Sequence, residues 1–306
     1  MKSAIAVLTY RRRHTLQTML DGLAAHCPFY RTAIFEDCGQ RDDTADFLQL
    51  NRVPHHRLDL LAYEYKEQPQ EGPVPLPVTA QGVQVFMGER NLGVACNSNR
   101  ALKWFMDETD ADHLCLCNDD LLVAGDFVKF YGQGHTDLNV GLWCFCDFTH
   151  HESYRWTTYR VRGYGVKFLP RFTGIMMSIT RKLVEEVGYF DASFGQFGEE
   201  HCDYTIRCRF AGGIRLDGHD MNCLDLEHPL LRHQDCQTSV TGAERLQADK
   251  HASVVMAEAV KTYSNRHHYR PFRLVQPKMA GGYSGGGIPV ENLLECGYKL
   301  VTALAP

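Results

Sequence analysis

The feature that most limits the fold of this chain is the alternation of strand and helix signals over its first 120 residues. Short continuous apolar runs, such as Ile5 to Leu8, have the pattern of strands that are covered on both faces. Between them, apolar residues recur at helical spacing, as at Leu16, Met19, Leu20 and Leu23. Strands that alternate with helices predict a mostly parallel sheet with right-handed crossovers. The ligand site of such a sheet lies beyond the carboxyl ends of its strands.

The composition narrows the class of protein. A length of 306 residues suits one large α/β domain with an appendage, or two small domains. A net charge of -5 argues against binding nucleic acid mainly by phosphate neutralisation, although Arg11-Arg12-Arg13 could form a local basic groove. No run approaches the roughly eighteen apolar residues of a membrane span, so we expect no stable membrane insertion. The 12 cysteines of a chain without a secretory signal are expected to be free, buried thiols in the cytoplasm.

Polar clusters follow three of the predicted strands: Thr9-Tyr10-Arg11, Glu36-Asp37 and Asn118-Asp119-Asp120. Because parallel strands end at one edge of a sheet, we expect these clusters to meet there. Carboxylates suit hard divalent cations, and Mg²⁺ or Mn²⁺ commonly bridges a diphosphate to one or two of them. Asp37 could accept hydrogen bonds from a base or a ribose. The alternatives are a polar turn at Asn118-Asp119-Asp120 and a helix N-cap at Asp37.

Two predicted helix starts carry further polar groups. The segment from Asn91 through Gly93 to Asn99 is a glycine-bearing turn whose amides could bind a sugar or phosphates, or could only cap the helix. The cluster from Glu199 to Asp203, with Arg207 one turn later, is the densest ionisable group in the chain. One of its carboxylates could accept a proton from a hydroxyl, or the cluster could be a salt-bridged helix start.

Taken in order, these motifs resemble family 2 glycosyltransferases with the GT-A fold, over about residues 3 to 240. The chain departs from the family pattern at two positions. Gln40 replaces the usual Ser, and His201 occupies the position often given to the catalytic Asp. The matching positions are Thr9, Asp37 with Gly39, Asn91 with Gly93 and Asn99, Asn118 with Asp120, and Phe190-Asp191.

The resemblance implies an α/β architecture of the GT-A type, with one mixed, mostly parallel sheet flanked by helices. It implies a glycosyltransferase domain over 1–240, with a nucleotide-sugar half over about 1–120 and an acceptor half over about 121–240. Residues 241–306 would form a C-terminal helical extension and a glycine-rich tail.

The resemblance also implies a metal-dependent, inverting transfer of a sugar from a nucleoside-diphosphate sugar, with UDP favoured, to an acceptor hydroxyl. Glu200 would be the general base, with His201 as the second candidate or as a group that orients the acceptor. Mn²⁺ or Mg²⁺ would bind Asp120 and a late histidine, either His228 or His233, of which His233 fits the family pattern better. The residues implied for donor binding are Thr9, Tyr10, Arg11, Asp37, Asn91, Gly93, Asn99, Asn118 and Asp119.

Several other functions compete with this interpretation. A structural zinc site could use Cys115, Cys117, Cys144, Cys146 and His150-His151, but zinc ligands usually leave a turn between paired cysteines. A sugar-nucleotide pyrophosphorylase would carry a glycine-rich loop after the first strand, where this chain has no glycine. A non-catalytic nucleotide-sugar-binding module would explain His201. For a transferase, the acceptor could be a glycan, a protein, a small molecule or a hydroxylated DNA base.

Overall fold

A computed structural model describes residues 1–10, 12–36, 83–86, 93–147, 157–169, 172, 174–195, 197–234 and 242–264. The strands are β1 (Ser3–Thr9), β2 (Arg31–Glu36), β3 (Val83–Phe86), β4 (His113–Asn118), β5 (Leu121–Val123), β6 (Leu142–Phe145), β7 (Thr157–Val161), β8 (Tyr164–Leu169), β9 (Met176–Thr180), β10 (Arg215–Leu216), β11 (His219–Asp220), β12 (Cys223–Leu226) and β13 (Leu231–His233). The helices are α1 (Arg13–His26), α2 (Val94–Glu108), α3 (Phe127–Leu138), α4 (Arg181–Val187), α5 (Glu200–Phe210) and α6 (Gly242–Ser264), and a 3-10 turn spans Ala192–Phe194.

The central sheet has the strand order β3-β2-β1-β4-β9-β6. The first four strands are parallel, and β9 runs antiparallel to both β4 and β6. The prediction of a mixed, mostly parallel sheet flanked by helices is therefore confirmed.

The core explains why these segments form these elements. Side chains on both faces of β1, from Ala4 to Val7, are fully buried, as the continuous apolar run predicted. Helix α2 packs against β1, β2 and β4 and buries Trp104 and Phe105, while α3 contacts β1. The apolar stripe of α1 is buried at the leucine and methionine positions that the helical spacing indicated.

A short antiparallel ribbon places a late segment of the chain beside the central sheet. Strand β5 follows Asp119 and Asp120 directly, and β13 pairs with it so that His233 lies opposite Leu121. A separate three-stranded antiparallel sheet, β12-β8-β7, contacts the central sheet through β12 and β6.

The C-terminal helix α6 packs against the segment that precedes α5. Ala252 is buried, and a Cβ on Gly198 would lie 3.0 Å from its Cβ. His251 Nε2 lies 2.8 Å from the carbonyl oxygen of Ser193. The division of the chain at residue 240 stays a prediction, and the glycine-rich tail lies outside the described residues, which end at residue 264.

The cysteines that the structure describes are free thiols, and all of them except Cys202 are buried. Within the described ranges, no group of three or more His, Cys, Asp or Glu side chains is arranged to hold a metal ion. His150 and His151 lie outside those ranges. Among the described helices, none has both the length and the apolar character needed to cross a membrane.

Candidate functional site at the carboxyl ends of the strands

The strand ends meet at one edge of the sheet, as the topology predicted. Thr9 at the end of β1 pairs with Glu36 at the end of β2, and Leu8 pairs with Asn118 at the end of β4. Three of the residues expected to bind the donor, namely Arg11, Asp37 and Asn91, lie outside the described residues.

Asp119 is a buried carboxylate that contacts residues at, and just after, the end of β1. The Thr9 hydroxyl donates to its Oδ2 over 2.7 Å, and Arg12 Nη1 lies 3.4 Å from its Oδ1. A hydrogen bond with the backbone of Tyr10 adds to these contacts. Burial raises the pKa of Asp119 to about 7, against the opposing effects of Arg12 and Thr9. The structure thus brings together Thr9, Tyr10 and Asp119, which the resemblance placed at the donor.

Asp120 faces two cationic groups. Its Oδ2 lies 2.5 Å from Arg12 Nη1 and 3.3 Å from His233 Nε2. Burial favours a higher pKa for Asp120, but the bond with His233 and the charge of Arg12 outweigh it and hold the pKa below its usual value. The same bond raises the pKa of His233. The other oxygen, Oδ1, is buried and has no hydrogen-bond partner among the described residues.

The ribbon of β5 and β13 fixes the position of His233. The backbone N–H of Gln234 donates to the carbonyl oxygen of Asp120 over 2.7 Å. The backbone N–H of His233 donates to Asp147 Oδ2 over 3.0 Å. The approach of His233 to Asp120 is therefore set by backbone pairing and does not depend on one flexible side chain.

Asp120 and His233 have the chemistry of a divalent cation site. A carboxylate oxygen and an imidazole nitrogen are typical ligands, and the orphaned Oδ1 of Asp120 is an acceptor that a bound cation could satisfy. Two protein ligands suit a cation that takes its remaining ligands from phosphates and water.

His228, the alternative metal ligand, has another role. Its Nδ1 accepts the N–H of Leu230 over 3.1 Å, and its Nε2 lies 2.9 Å from the hydroxyl of Tyr131. Tyr131 in turn donates to Asp225 over 2.6 Å. Burial lowers the pKa of His228 to about 4. Both of its ring nitrogens are engaged in this network, whereas His233 Nε2 faces Asp120, and the choice of His233 as the metal ligand stays a prediction.

Two of the asparagines expected at the donor make hydrogen bonds with backbone groups. Asn99 is only 2% exposed, and its amide donates to Phe190 O over 3.0 Å while its carbonyl accepts from Phe190 N over 2.7 Å. Asn118 donates to Gly174 O over 2.9 Å. Gly93 opens α2 with a φ of 88°, a conformation that glycine adopts without strain. Both ends of the Asn99 amide are used by the backbone of Phe190, so its role at the donor stays a prediction that this structure does not test.

Glu200 and His201 form a buried pair at the start of α5. Glu200 Oε1 lies 2.6 Å from His201 Nδ1, and Oε2 is buried with no hydrogen-bond partner in the described part of the chain. The imidazole is held edge-on by Phe172 and Phe190. Burial would raise the pKa of Glu200, but the bond with His201 holds it below its usual value. His201 therefore orients Glu200 in this structure, a role that the sequence did not indicate.

The rest of this ionisable cluster is structural. Asp203 accepts from Arg207 Nε over 2.8 Å, one helical turn apart, and both side chains are buried. Burial raises the pKa of Asp203 to about 6 despite this pair. The salt-bridged helix start is thus the correct interpretation for Asp203 and Arg207.

Arg12 is the residue at this site that the sequence analysis missed. It appeared there only as the middle of a basic run, whereas the structure directs it at Asp119 and Asp120. Its position three residues after Thr9, in the turn that leaves a strand of a parallel sheet, was the signal that could have identified it.

Comparison with known proteins identifies the fold. The sequence matches no protein-family model and no curated protein. GalNAc-T7, solved with UDP, GalNAc and Mn²⁺, superposes with a TM-score of 0.57 at 10% identity, over 86% of this chain and 50% of that one. S. aureus TarS 1-349 in complex with UDP-GlcNAc gives 0.54 at 11% identity, over 88% and 68%. The mannosyltransferase PcManGT from Pyrobaculum calidifontis, solved with GDP-Man and Mn²⁺, gives 0.52 at 12% identity, over 88% and 66%. This protein has the GT-A fold.

The chain spans about half to two thirds of the length of the matched proteins. At 10–12% identity the likeness establishes the GT-A fold and nothing finer. In this GT-A fold, the edge formed by β1, β2 and β4 carries Thr9, Asp119 and Asp120, and the ribbon adds His233.

Proposed function

We propose that this protein is a metal-dependent glycosyltransferase that moves a sugar from a nucleoside-diphosphate sugar to an acceptor hydroxyl, with inversion. The observation that carries the proposal is the contact of Asp120 with His233 beside the pair of Asp119 and Thr9, all at the strand ends. Support comes from solved GT-A proteins that hold UDP, UDP-GlcNAc or GDP-Man, two of them with Mn²⁺.

The donor is proposed to lie at the ends of β1, β2 and β4. Asp120 and His233 would hold Mn²⁺ or Mg²⁺, which when bound supplies positive charge to the departing nucleoside diphosphate. Asp119 is fixed by Thr9 and Arg12 at the same edge and would contact the donor sugar. We favour UDP as the donor nucleotide, and Asp37 is proposed to contact its base or ribose.

The acceptor is proposed to bind beside Glu200. Glu200 is ionised at neutral pH because its pKa is lowered by His201, so it can take the proton of the acceptor hydroxyl as that oxygen attacks the anomeric carbon. The new bond forms as the bond from the anomeric carbon to the diphosphate oxygen breaks, which inverts the configuration in one displacement. His201 holds Glu200 Oε1, so the buried Oε2, which has no hydrogen-bond partner among the described residues, is the oxygen that would receive the proton once the acceptor hydroxyl reaches it.

The acceptor classes that we propose are a glycan, a protein or a small molecule. A hydroxylated DNA base is the less favoured alternative because the net charge is -5. Free buried thiols are typical of a reducing compartment, so we also propose a cytoplasmic protein.

A panel of nucleotide sugars tests the donor half of this proposal. With Mn²⁺ present, one class of donor should raise the melting temperature and should be slowly hydrolysed, with release of the nucleoside diphosphate. Stabilisation by a donor without any hydrolysis or transfer would instead support the non-catalytic binding module. No response to any donor, with or without Mn²⁺, would overturn both.

Two isosteric variants test the residue roles. Asp120→Asn should lower turnover by at least about 100-fold, because several kcal/mol of charge stabilisation are lost at about 1.4 kcal/mol per tenfold. Glu200→Gln should lower turnover by about 100-fold or more while donor affinity is kept. Exposed carboxylates provide the matched controls, Asp107→Asn and Glu186→Gln, and should retain full activity. Near-normal turnover in Glu200→Gln would transfer the role of the base to His201.

A further inference from the structure

Arg12 lies between two carboxylates at the proposed donor site. Its Nη1 is 2.5 Å from Asp120 Oδ2 and 3.4 Å from Asp119 Oδ1, and its side chain is 22% exposed. It lies three residues after the end of β1 and directly precedes the first residue of α1, so it belongs to the same edge of the sheet as the two carboxylates.

The oxygen that Arg12 contacts is also the oxygen that faces His233. Asp120 Oδ2 lies 3.3 Å from His233 Nε2, so a cation held by His233 and by this oxygen, alone or together with Oδ1, would lie against the Arg12 guanidinium. A guanidinium and a divalent cation repel each other strongly at contact distance, particularly where burial lowers the dielectric. The two cations therefore cannot both occupy Asp120 Oδ2.

We propose that Arg12 is a built-in counter-cation that competes with the divalent metal for Asp120, and that it transfers to the donor diphosphate when the metal binds. This inference rests on the proposed function for the existence of a metal and a diphosphate. The planar guanidinium of arginine pairs with phosphate oxygens as well as it does with carboxylate oxygens. The diphosphate therefore offers the displaced guanidinium a new partner. The metal and the donor would consequently favour each other's binding.

The competing explanation is a static ion pair. In that case Arg12 would only neutralise Asp119 and Asp120, and its removal would leave two buried carboxylates with less compensation. The protein would lose stability. Its affinity for Mn²⁺ would rise only by the amount that the removal of one nearby positive charge explains.

The experiment measures Mn²⁺ binding and UDP binding on the full chain, without turnover. Mn²⁺ is titrated alone and followed by the electron paramagnetic resonance signal of the free ion, and UDP is titrated by calorimetry at saturating Mn²⁺. The test variant is Arg12→Gln. A second variant, Arg12→Lys, keeps the positive charge but lacks the planar guanidinium that can pair with two oxygens. Arg232→Gln is the matched control, because Arg232 is an exposed arginine next to His233.

We expect Arg12→Gln to bind Mn²⁺ at least about tenfold more tightly than wild type, and to bind UDP about tenfold more weakly. Arg12→Lys should keep the weak Mn²⁺ binding of wild type, and it supplies the comparison with wild type if the glutamine variant does not fold. Arg232→Gln should change neither dissociation constant by more than about twofold.

The outcomes separate this inference from the proposed function. If wild type binds Mn²⁺ and UDP but Arg12→Gln has an unchanged Mn²⁺ affinity, the competition is wrong and the proposed function stands. Equal tightening of Mn²⁺ binding in Arg232→Gln would also overturn it, since a general charge effect would then suffice. If neither wild type nor Arg12→Gln binds Mn²⁺ or UDP, the proposed function fails and this inference fails with it.

Discussion

Replacement of Asn99 by alanine tests whether this residue supports the fold or contacts the donor. Its amide makes two hydrogen bonds with the backbone of Phe190, at 3.0 and 2.7 Å, in a fully packed region. Asn99→Ala leaves the N–H and the carbonyl of Phe190 buried without these partners. Each such group costs about 1 to 3 kcal/mol, so we expect the free energy of unfolding to fall by about 2 to 6 kcal/mol.

The consequence for activity follows from what Phe190 contacts. Its ring stacks on Tyr204 with centroids 4.2 Å apart and packs edge-on against His201 at 5.3 Å. A shift of Phe190 therefore reaches Glu200 through His201. We expect turnover to fall in Asn99→Ala while the affinity for UDP in the presence of Mn²⁺ stays close to that of wild type.

The assay is equilibrium unfolding in urea, with UDP binding followed by calorimetry. Asp107→Ala is the control on the same helix, where an exposed pair with Lys103 is worth at most about 0.5 kcal/mol. If Asn99→Ala changes the unfolding free energy by less than about 0.5 kcal/mol and weakens UDP binding tenfold, Asn99 contacts the donor and the structural interpretation is refuted.

Two further predictions concern acid stability and the setting of the proposed base. Burial lowers the pKa of His113 to about 4 from 6.5, so the unfolded state binds more protons between these values, and stability is lost as the pH falls through this window. The free energy of unfolding is measured at pH 7 and at pH 4. Between these values wild type should lose about 3 kcal/mol more than His113→Phe does, and equal losses in the two proteins would exclude His113 as the cause. A Cβ on Gly174 would lie 2.9 Å from His201 Nδ1, at a φ of 78°. Gly174→Ala should therefore lower kcat at least about tenfold with KM little changed, and unchanged kcat in a folded variant would disprove the contact's importance.

Much of the sheet could be predicted because its signals are local. The run from Ile5 to Leu8 and the run from Leu114 to Cys117 are apolar on both faces, and such runs form the central strands of parallel sheets. The pairing of β5 with β13 could not be predicted in this way. Each of these strands has three residues, and Leu121 and His233 are far apart in the chain, so neither periodicity nor turn chemistry indicates their register.

The same distinction applies to the site, where some contacts follow from the topology and others depend on side-chain directions that the sequence does not indicate. The meeting of Thr9 with Asp119 follows from parallel topology, since the ends of adjacent parallel strands share an edge. The roles of Asn99 and Arg12 depend on the direction of a side chain inside a packed structure. Spacing in the sequence identifies such residues as polar and close to the site, but it does not indicate whether the side chain faces a ligand or the backbone.

A short chain of contacts connects the two ends of the proposed reaction. Asn118, at the end of the strand that leads to Asp119 and Asp120, donates to the carbonyl of Gly174, and its backbone N–H donates to Ile175 over 3.0 Å. Gly174 lies against the ring of His201, which holds Glu200. These links are one backbone hydrogen bond, two side-chain hydrogen bonds and one close packing contact, and they connect the end of β4 to the proposed base. Asn118 suits this position because its amide nitrogen donates to the carbonyl oxygen of Gly174, a bond that an aspartate could not donate.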